Sequence, residues 1–170
     1  MLDFSGEFPT CANYLMHYRG YGGSTGKPSE AALFGDALEL FDQVHTQHPD
    51  IDVIGRSLGS SVATYLASQR PVAHLVLVTP FDSVQNIAAR QFSLVPVKLL
   101  LLDKFESWRF APRVTAPTTL IAADHDEIVP RESTEALRAY FRNVTIHVIA
   151  GGHNTISNNP EYVGLIRGAL

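Results

Sequence analysis

The sequence predicts an α/β fold in which helices cover both faces of a mostly parallel sheet. Apolar segments of strand length alternate with segments of helical periodicity through most of the chain, and this alternation is typical of parallel sheets. Residues 72–79 are almost continuously apolar, as expected of a strand that is buried on both faces. Residues 51–54 form a second apolar run, which leads through a glycine-flanked serine directly into a helix-forming stretch.

The composition indicates one ordinary domain. The chain has 170 residues, of which 45% are hydrophobic and 18% are charged, and its formal net charge is −4. No cluster of lysines and arginines marks a surface for nucleic acid or for an anionic membrane, so neither partner is expected. Cys11 is the only cysteine, which excludes an internal disulfide and a cysteine-based metal site. Because residues 1–7 do not resemble a signal peptide, we expect a cytoplasmic location.

The first part of the chain predicts two strands and two helices. Residues 12–18 mix aromatic and aliphatic side chains over the length of a strand, and a glycine-rich loop follows them. Ser29 is a plausible N-cap for a helix to about Gln47, because apolar residues share one face at Leu33, Ala37, Leu40, Phe41 and Val44. The strand at residues 51–54 and a helix to about Gln69 come next.

After the strand at residues 72–79, the alternation is interrupted between Pro80 and Ala116. Residues 92–102 are strongly apolar, yet this run is shorter than the roughly 20 residues that a membrane span needs. Two interpretations remain open. The run is either a helix buried in the core, or part of a small lid or acyl-binding wall inserted at about residues 81–115.

The alternation then resumes to the end of the chain. We expect a strand at residues 117–123, a helix from about 131 to 141, a strand at 144–149 and a last helix that Asn159 and Pro160 open. No repeat or low-complexity linker divides the chain, so the whole of residues 1–170 is predicted to be one domain.

The glycine-flanked serine is Ser57, in Gly55-Arg56-Ser57-Leu58-Gly59. A serine at a sharp turn between a strand and a helix has a strained backbone, and glycines two residues away on either side avoid collisions. Residues 22–26 also fit the G-x-S-x-G pattern, with Ser24 at the centre. The residues after them are Lys27 and Pro28, which do not allow a helix to begin inside the turn. Ser57 is therefore the candidate nucleophile.

A serine hydroxyl needs a base within hydrogen-bond reach and an acid that orients the base. Ser57, Asp126 and His153 each lie just beyond the carboxyl end of a predicted strand, and in a parallel sheet these ends meet at one edge. The chain order Ser, Asp, His is the order expected when the motif is a nucleophile elbow. Asp124 and Asp82 remain alternative candidates for the acid.

Four stretches carry a resemblance to a known family: residues 18–22 with 26–30, 55–59, 126–130 and 151–154. They resemble the α/β-hydrolase family, in particular the small serine hydrolases of the ABHD13 and ABHD17 type and their bacterial relatives. The resemblance implies hydrolysis of esters, thioesters or occasionally amides through an acyl-enzyme, without a cofactor. It makes Ser57 the nucleophile, His153 the base and then the acid, and Asp126 the orienting group.

The chain departs from this family before Ala12, where members usually have further strands and a His-Gly loop that supplies one oxyanion-hole N–H. The N–H of Leu58 can supply one donor, and the second has no assigned source. We therefore expect an N-terminally shortened hydrolase whose sheet has a gap or an exposed edge. Such a chain is either a fragment of a longer protein or is completed by a second copy in a homo-oligomer.

The function that follows is hydrolysis of a small-molecule carboxylic ester or thioester with an apolar acyl group. The alternative is a catalytically impaired α/β-hydrolase scaffold that acts by binding a protein partner. These two hypotheses differ in whether Ser57 is unusually reactive.

Overall fold

The computed structural model describes residues 4–91 and 101–170. Within these ranges the strands are β1 (Val53–Arg56), β2 (Leu75–Val78), β3 (Thr118–Ala123) and β4 (Val144–Ile149). The helices are α1 (Phe4–Glu7), α2 (Glu30–His45), α3 (Leu58–Gln69), α4 (Val84–Gln91), α5 (Ser107–Phe110), α6 (Arg131–Arg138) and α7 (Glu161–Ala169). Short 3-10 turns occupy Ala111–Arg113 and Ile156–Asn158.

The four described strands form one parallel sheet in the order β1-β2-β3-β4. The pairing is continuous across the sheet, with Gly55 opposite Leu77 and Leu77 opposite Leu120. All four strands run in one direction, so the loops that follow β1, β3 and β4 meet at the same edge of the sheet. The predicted α/β fold with a parallel sheet is confirmed.

Helices cover both faces of the sheet, as predicted, and β2 shows how the two faces are built. Leu75 and Leu77 point into a core that contains side chains of α2, α3 and α6. Val76 and Val78 point to the opposite face, where they pack with Ile166 and other residues of α7. All four β2 residues are buried, which explains why this segment has no polar alternation.

One predicted strand is wrong. Residues 12–18 have no strand assignment and pair with none of the four described strands. Their side chains are mostly exposed, and the hydroxyl of Tyr14 is 3.1 Å from Nε2 of His48 instead of entering a core. The physical reason is that strand propensity needs a neighbouring strand to pair with. Among the described residues no strand lies beside β1 on its outer edge.

The interrupted region between residues 81 and 115 contains α4 and α5. Residues 92–100, which make up most of the apolar run expected to form a lid or a buried helix, lie outside the described residues. At the end of that run, Leu102 is almost fully exposed. No helix within residues 4–91 and 101–170 is both long enough and apolar enough to cross a membrane.

The start of α2 matches its predicted cap and anchors a distant segment. The Ser29 hydroxyl accepts the N–H of Ala32 at 3.2 Å, as expected of an N-cap. The carboxylate of Glu30 accepts the N–H groups of Lys104 and Phe105 at 2.8 and 2.9 Å. These contacts attach the segment before α5 to the first turn of α2.

The outer edge of β1 generates a prediction about self-association. An unpaired strand edge offers N–H and C=O groups to another strand. If a second copy completes the sheet, the purified chain should behave as a dimer or larger species in size-exclusion chromatography with light scattering. Ile54→Lys places a charge on this strand, where Ile54 is 36% exposed, and should shift the population toward monomer.

The matched control is Val148→Lys, because Val148 is 37% exposed on β4 at the opposite edge of the sheet. A monomeric wild-type chain would contradict this prediction. So would dissociation by Val148→Lys but not by Ile54→Lys.

Candidate active site

Ser57 lies in the tight turn between β1 and α3, with φ of 51° and ψ of −121°. A positive φ is rare for a residue with a side chain and stores backbone strain. The surrounding structure holds this conformation, because the N–H of Ser57 donates to the carbonyl of Val78 on β2 at 2.9 Å. The Ser57 carbonyl also accepts the backbone N–H and the hydroxyl of Ser60, at 2.8 and 2.6 Å.

Gly55 allows α3 to pack directly against β1. A Cβ on Gly55 would collide with the backbone carbonyl of Gly59 and would lie 2.6 Å from the Cβ of Ala63. This close approach places Ser57 at the N-terminus of α3, where the first N–H groups have no partner inside the helix. Leu58 is the first residue of α3, so its N–H is one of these groups.

His153 lies between Ser57 and Asp126. Its Nε2 is 2.9 Å from Oγ of Ser57, and its Nδ1 is 3.0 and 2.9 Å from the two carboxylate oxygens of Asp126. An ionised carboxylate only accepts hydrogen bonds, so the proton is assigned to Nδ1 and Nε2 is left to accept from the serine hydroxyl. The structure thus brings together three residues that are up to 96 positions apart in the chain.

The histidine and the carboxylate are both shielded from water. Their side chains are 6% and 3% exposed. Oδ1 of Asp126 also accepts the backbone N–H groups of Ile128 and Val129, at 2.9 and 2.7 Å. These bonds fix the carboxylate in the orientation in which it meets the imidazole.

Two charged side chains bind the backbone of His153, one at its N–H and the other at its carbonyl. Oε2 of Glu127 accepts the N–H of His153 at 3.1 Å, and Nη2 of Arg56 donates to the carbonyl of His153 at 2.8 Å. Hydrogen bonds from the backbone N–H groups of Glu127 itself and of His153 lower the pKa of Glu127 below its ordinary value. The sequence predicts no role for Glu127 or Arg56. The signal in the sequence was that Glu127 directly follows Asp126 and that Arg56 directly precedes Ser57.

The alternative acids make other contacts. Oδ1 of Asp124 accepts the N–H of Gly151 at 2.8 Å and so connects the β3 loop to the β4 loop. Asp82 is buried, and its carboxylate accepts from the hydroxyl of Ser133 and from the side-chain amide of Asn86. Neither carboxylate has a hydrogen bond to His153 within the described residues.

Ser24, at the centre of the second G-x-S-x-G match, is in a different setting. Its hydroxyl is 3.5 Å from the backbone carbonyl of His17, and no helix follows it directly. The loop around it is attached to α2 by Arg19, whose Nε donates to Asp36 at 2.6 Å. The structure therefore gives Ser24 none of the partners that surround Ser57.

An apolar cluster adjoins the three-residue arrangement. Leu58 packs against buried residues that include Phe81 and Val129, and Val129 belongs to the same loop as Asp126. Two surface cavities occur elsewhere among the described residues, and neither is lined by Ser57, Asp126 or His153. Residues 4–91 and 101–170 also contain no group of three or more His, Cys, Asp or Glu side chains that could hold a metal ion.

A family model described as serine hydrolase matches residues 35–160, which include Ser57, Asp126 and His153. Among curated proteins, an uncharacterized protein of Mycobacterium tuberculosis is 39% identical over 152 residues, which cover 86% of this chain and 53% of that protein. The alpha/beta hydrolase domain-containing protein aho-3 of Caenorhabditis elegans is 30% identical over 165 residues, covering 92% of this chain and 48% of that protein. The chain spans about half the length of the curated relatives it matches.

Solved structures give the same fold. An esterase from Pyrococcus furiosus superposes with a TM-score of 0.68 at 21% sequence identity, covering 90% of this chain and 66% of that one. At this identity the likeness concerns the fold alone. With the family match, it confirms the resemblance inferred from the sequence.

The packing at Gly55 generates a prediction about stability. Gly55→Ala should lower the free energy of unfolding by roughly 1–3 kcal/mol, because the added methyl group would overlap backbone atoms of Gly59 and Ala63 Cβ. Urea unfolding would measure the change. The matched control is Gly35→Ala in α2, where a Cβ would meet nothing within 4 Å. This control should stabilise the protein by about 0.5–1 kcal/mol. Equal stability of the two variants would contradict the packing argument.

The lowered pKa of Glu127 generates a prediction about pH. A carboxylate whose pKa is lower in the folded state stabilises the fold above its ordinary pKa, and this contribution is lost as pH falls through the lowered value. The wild type should therefore be more stable than Glu127→Gln at neutral pH, and the difference should disappear on acidification. Urea unfolding of both proteins across the acid range would measure it. A difference that stays constant or widens would contradict this role.

Proposed function

Because the chain belongs to the serine hydrolase family, we propose that it hydrolyses a carboxylic ester or thioester through an acyl-enzyme formed on Ser57. The observation that carries this proposal is the pair of contacts made by His153. Its Nε2 is 2.9 Å from the Ser57 hydroxyl oxygen, while its Nδ1 is 2.9 Å from Asp126. A serine hydroxyl next to a histidine that a carboxylate orients has the means to lose its proton as it attacks.

In the first half of the proposed reaction, Oγ of Ser57 attacks the carbonyl carbon and its proton moves to Nε2 of His153. Asp126 stabilises the imidazolium that forms, and the N–H of Leu58 donates to the developing oxyanion. When the tetrahedral intermediate collapses, His153 returns the proton to the departing alcohol or thiol. Water then attacks the acyl-enzyme by the same route, releasing the acid and restoring Ser57.

An apolar acyl group is the substrate that the surroundings favour. Leu58 adjoins the nucleophile, and it packs into the same apolar cluster as Phe81 and Val129. Burial of an acyl chain against such residues contributes about 25 cal/mol per Å² of apolar surface.

A catalytically impaired scaffold is the second candidate, and one observation favours it. The outer edge of β1 has no neighbouring strand among the described residues, so it could bind another chain. The two candidates differ in the reactivity of Ser57.

Labelling with a fluorophosphonate probe tests the proposal. The wild-type chain should form one adduct, located on Ser57 by mass spectrometry, because only a serine activated by a base attacks the probe rapidly. Ser57→Ala and His153→Ala should abolish labelling at equal probe concentration. Hydrolysis of p-nitrophenyl esters of increasing acyl length should follow the same pattern among the variants.

The choice of acid is tested by two matched substitutions. Asp126→Asn should slow labelling by about 10³- to 10⁴-fold, because the amide cannot hold the productive imidazole tautomer. Asp124→Asn should label at close to the wild-type rate, since an asparagine oxygen can still accept the N–H of Gly151. A folded wild-type chain that is not labelled would favour the scaffold. Labelling that survives Asp126→Asn but not Asp124→Asn would show that Asp124, and not Asp126, is the acid that orients His153.

A further inference from the structure

The proposed reaction needs the imidazole of His153 to face Ser57 and Asp126 at the same time, and this inference rests on that proposed function. The imidazole follows the backbone of the loop after β4, where Gly151 and Gly152 precede the histidine. Gly151 has a φ of 150°, in a region that side chains disfavour, and two successive glycines give a loop many alternative conformations. Contacts from side chains must therefore select one of these conformations.

Side-chain oxygens accept three consecutive N–H groups of this loop. The donors are the N–H groups of residues 151–153, and the acceptors, in the same order, are Asp124 at 2.8 Å, Thr155 at 2.9 Å and Glu127 at 3.1 Å. Two of these acceptors are carboxylates of the loop after β3, which also contains the carboxylate that meets the imidazole ring. The bond to Glu127 is the one that the histidine itself makes.

The carbonyl of His153 is bound as well. Nη2 of Arg56 donates to it at 2.8 Å, and Arg56 is the last residue of β1, directly before Ser57. Glu127 directly follows Asp126. Each of the two residues that meet the imidazole ring therefore has a chain neighbour that binds the backbone of the same histidine. This arrangement links the position of the ring to the positions of both its partners.

Gly152 leaves room for the carboxylate of Glu127. A Cβ at this position would lie 2.8 Å from Oε2 of Glu127 and 3.5 Å from the carbonyl oxygen of His125. A side chain here would push the carboxylate away from the N–H of His153. The contact between Glu127 and the histidine therefore depends on a glycine at position 152.

We propose that Arg56 and Glu127 are positioning residues, which hold the backbone of His153 so that its imidazole meets Ser57 and Asp126 in one geometry. Both act on the backbone and not on the reacting atoms. Their charges are opposite: a nearby carboxylate favours the protonated imidazole, and a nearby guanidinium disfavours it. Together they hold the loop while their electrostatic effects on the base oppose each other.

Other titratable groups lie near the histidine and are common to every variant in the test. In the loop after β3 these are Asp126, which meets the ring, and Asp124 and His125, whose side chains lie 3.5 Å apart. On α7, Tyr162 interacts with the charge of Arg56, but burial raises the pKa of Tyr162, so its hydroxyl stays neutral over the neutral range. Differences between variants therefore come from the substituted residue.

The test measures p-nitrophenyl butyrate hydrolysis and the rate of fluorophosphonate labelling. Arg56→Met and Glu127→Met each remove a bond to the His153 backbone and keep an unbranched side chain. Each should lower kcat and the labelling rate about 10- to 100-fold with little change in KM, because a small displacement of the base slows the reaction without weakening ester binding. Arg56→Lys and Glu127→Gln keep a donor and an acceptor, respectively, and should recover most of this loss.

The matched controls alter an ion pair at the other end of α3. Arg70 is the C-cap of this helix, whose 12 residues span about 18 Å, and its Nε donates to Asp42 at 2.6 Å. Arg70→Met and Asp42→Asn change the net charge by the same amounts as the test variants. They should leave kcat within about twofold of the wild type, because surface charges more than about 10 Å away are largely screened.

The final extent of labelling separates positioning from a loss of folded protein. Positioning changes the rate at which each Ser57 reacts and not the number that can react. All folded variants should therefore reach the wild-type extent of labelling at long times, with circular dichroism close to that of the wild type. A reduced final extent with a normal rate would overturn the positioning role.

The pH profile gives a further readout. Hydrolysis needs the neutral imidazole, so kcat/KM falls on the acid side as His153 gains a proton. Backbone hydrogen bonds lower the pKa of Glu127, so its charge is present over this range. Glu127→Gln should move the acid limb to lower pH and Arg56→Met should move it to higher pH, each by roughly half a pH unit. Shifts in the same direction would contradict the opposed charges.

The outcomes also separate this inference from the proposed function. If the wild type is active and labelled but both Met variants retain kcat within about twofold, the positioning role is wrong and the proposed function stands. A folded wild type that is neither active nor labelled overturns the proposed function, and the positioning role with it. A loss in Arg56→Met and Glu127→Met that Arg56→Lys and Glu127→Gln recover, with the controls unaffected, supports both.

Discussion

The site depends on the close packing of α3 against β1 at Gly55. Without a side chain at this position, the backbone of Gly59 and the Cβ of Ala63 approach the strand to within contact distance. This approach bends the chain sharply enough to hold Ser57 at a φ of 51°, with its hydroxyl oxygen within 2.9 Å of the imidazole of His153. The strain at Ser57 is offset by the helix that packs behind it and by the bond to the β2 carbonyl.

The rest of the site follows from the parallel sheet. Because β1, β3 and β4 run in the same direction, their following loops lie along one edge, and Ser57, Asp126 and His153 belong to these three loops. The sheet alone would leave His153 on a glycine-rich loop with several conformations. Glu127 and Arg56 hold the two sides of its backbone, and Asp124 connects Gly151 to the β3 loop. Rigid strands thus provide the approximate geometry, and charged side chains refine it.

The outer edge of β1 has no neighbouring strand among the described residues. Residues 12–18 have the composition of a strand, but no described strand lies where they could pair with it. The same segment nevertheless ends at Tyr18, which packs against the same apolar cluster as Leu58. An irregular segment can position a side chain when aromatic packing and an ion pair replace the hydrogen bonds of a sheet. The segment that contains residues 12–18 is therefore held by packing and by the Arg19–Asp36 ion pair, and not by hydrogen bonds of the sheet.

The sequence by itself determined the fold class, the elbow around Ser57 and the order in which the candidate residues follow the strands. These features depend on neighbours in the chain, such as glycines two residues from a serine, and short-range patterns report them directly. Only the tertiary structure decided that Asp126, rather than Asp124 or Asp82, meets His153. It also revealed the supporting contacts of Glu127 and Arg56, and it showed that residues 12–18 do not join the sheet. Such contacts join residues from 26 to 97 positions apart, so they depend on how the elements pack and not on any local pattern.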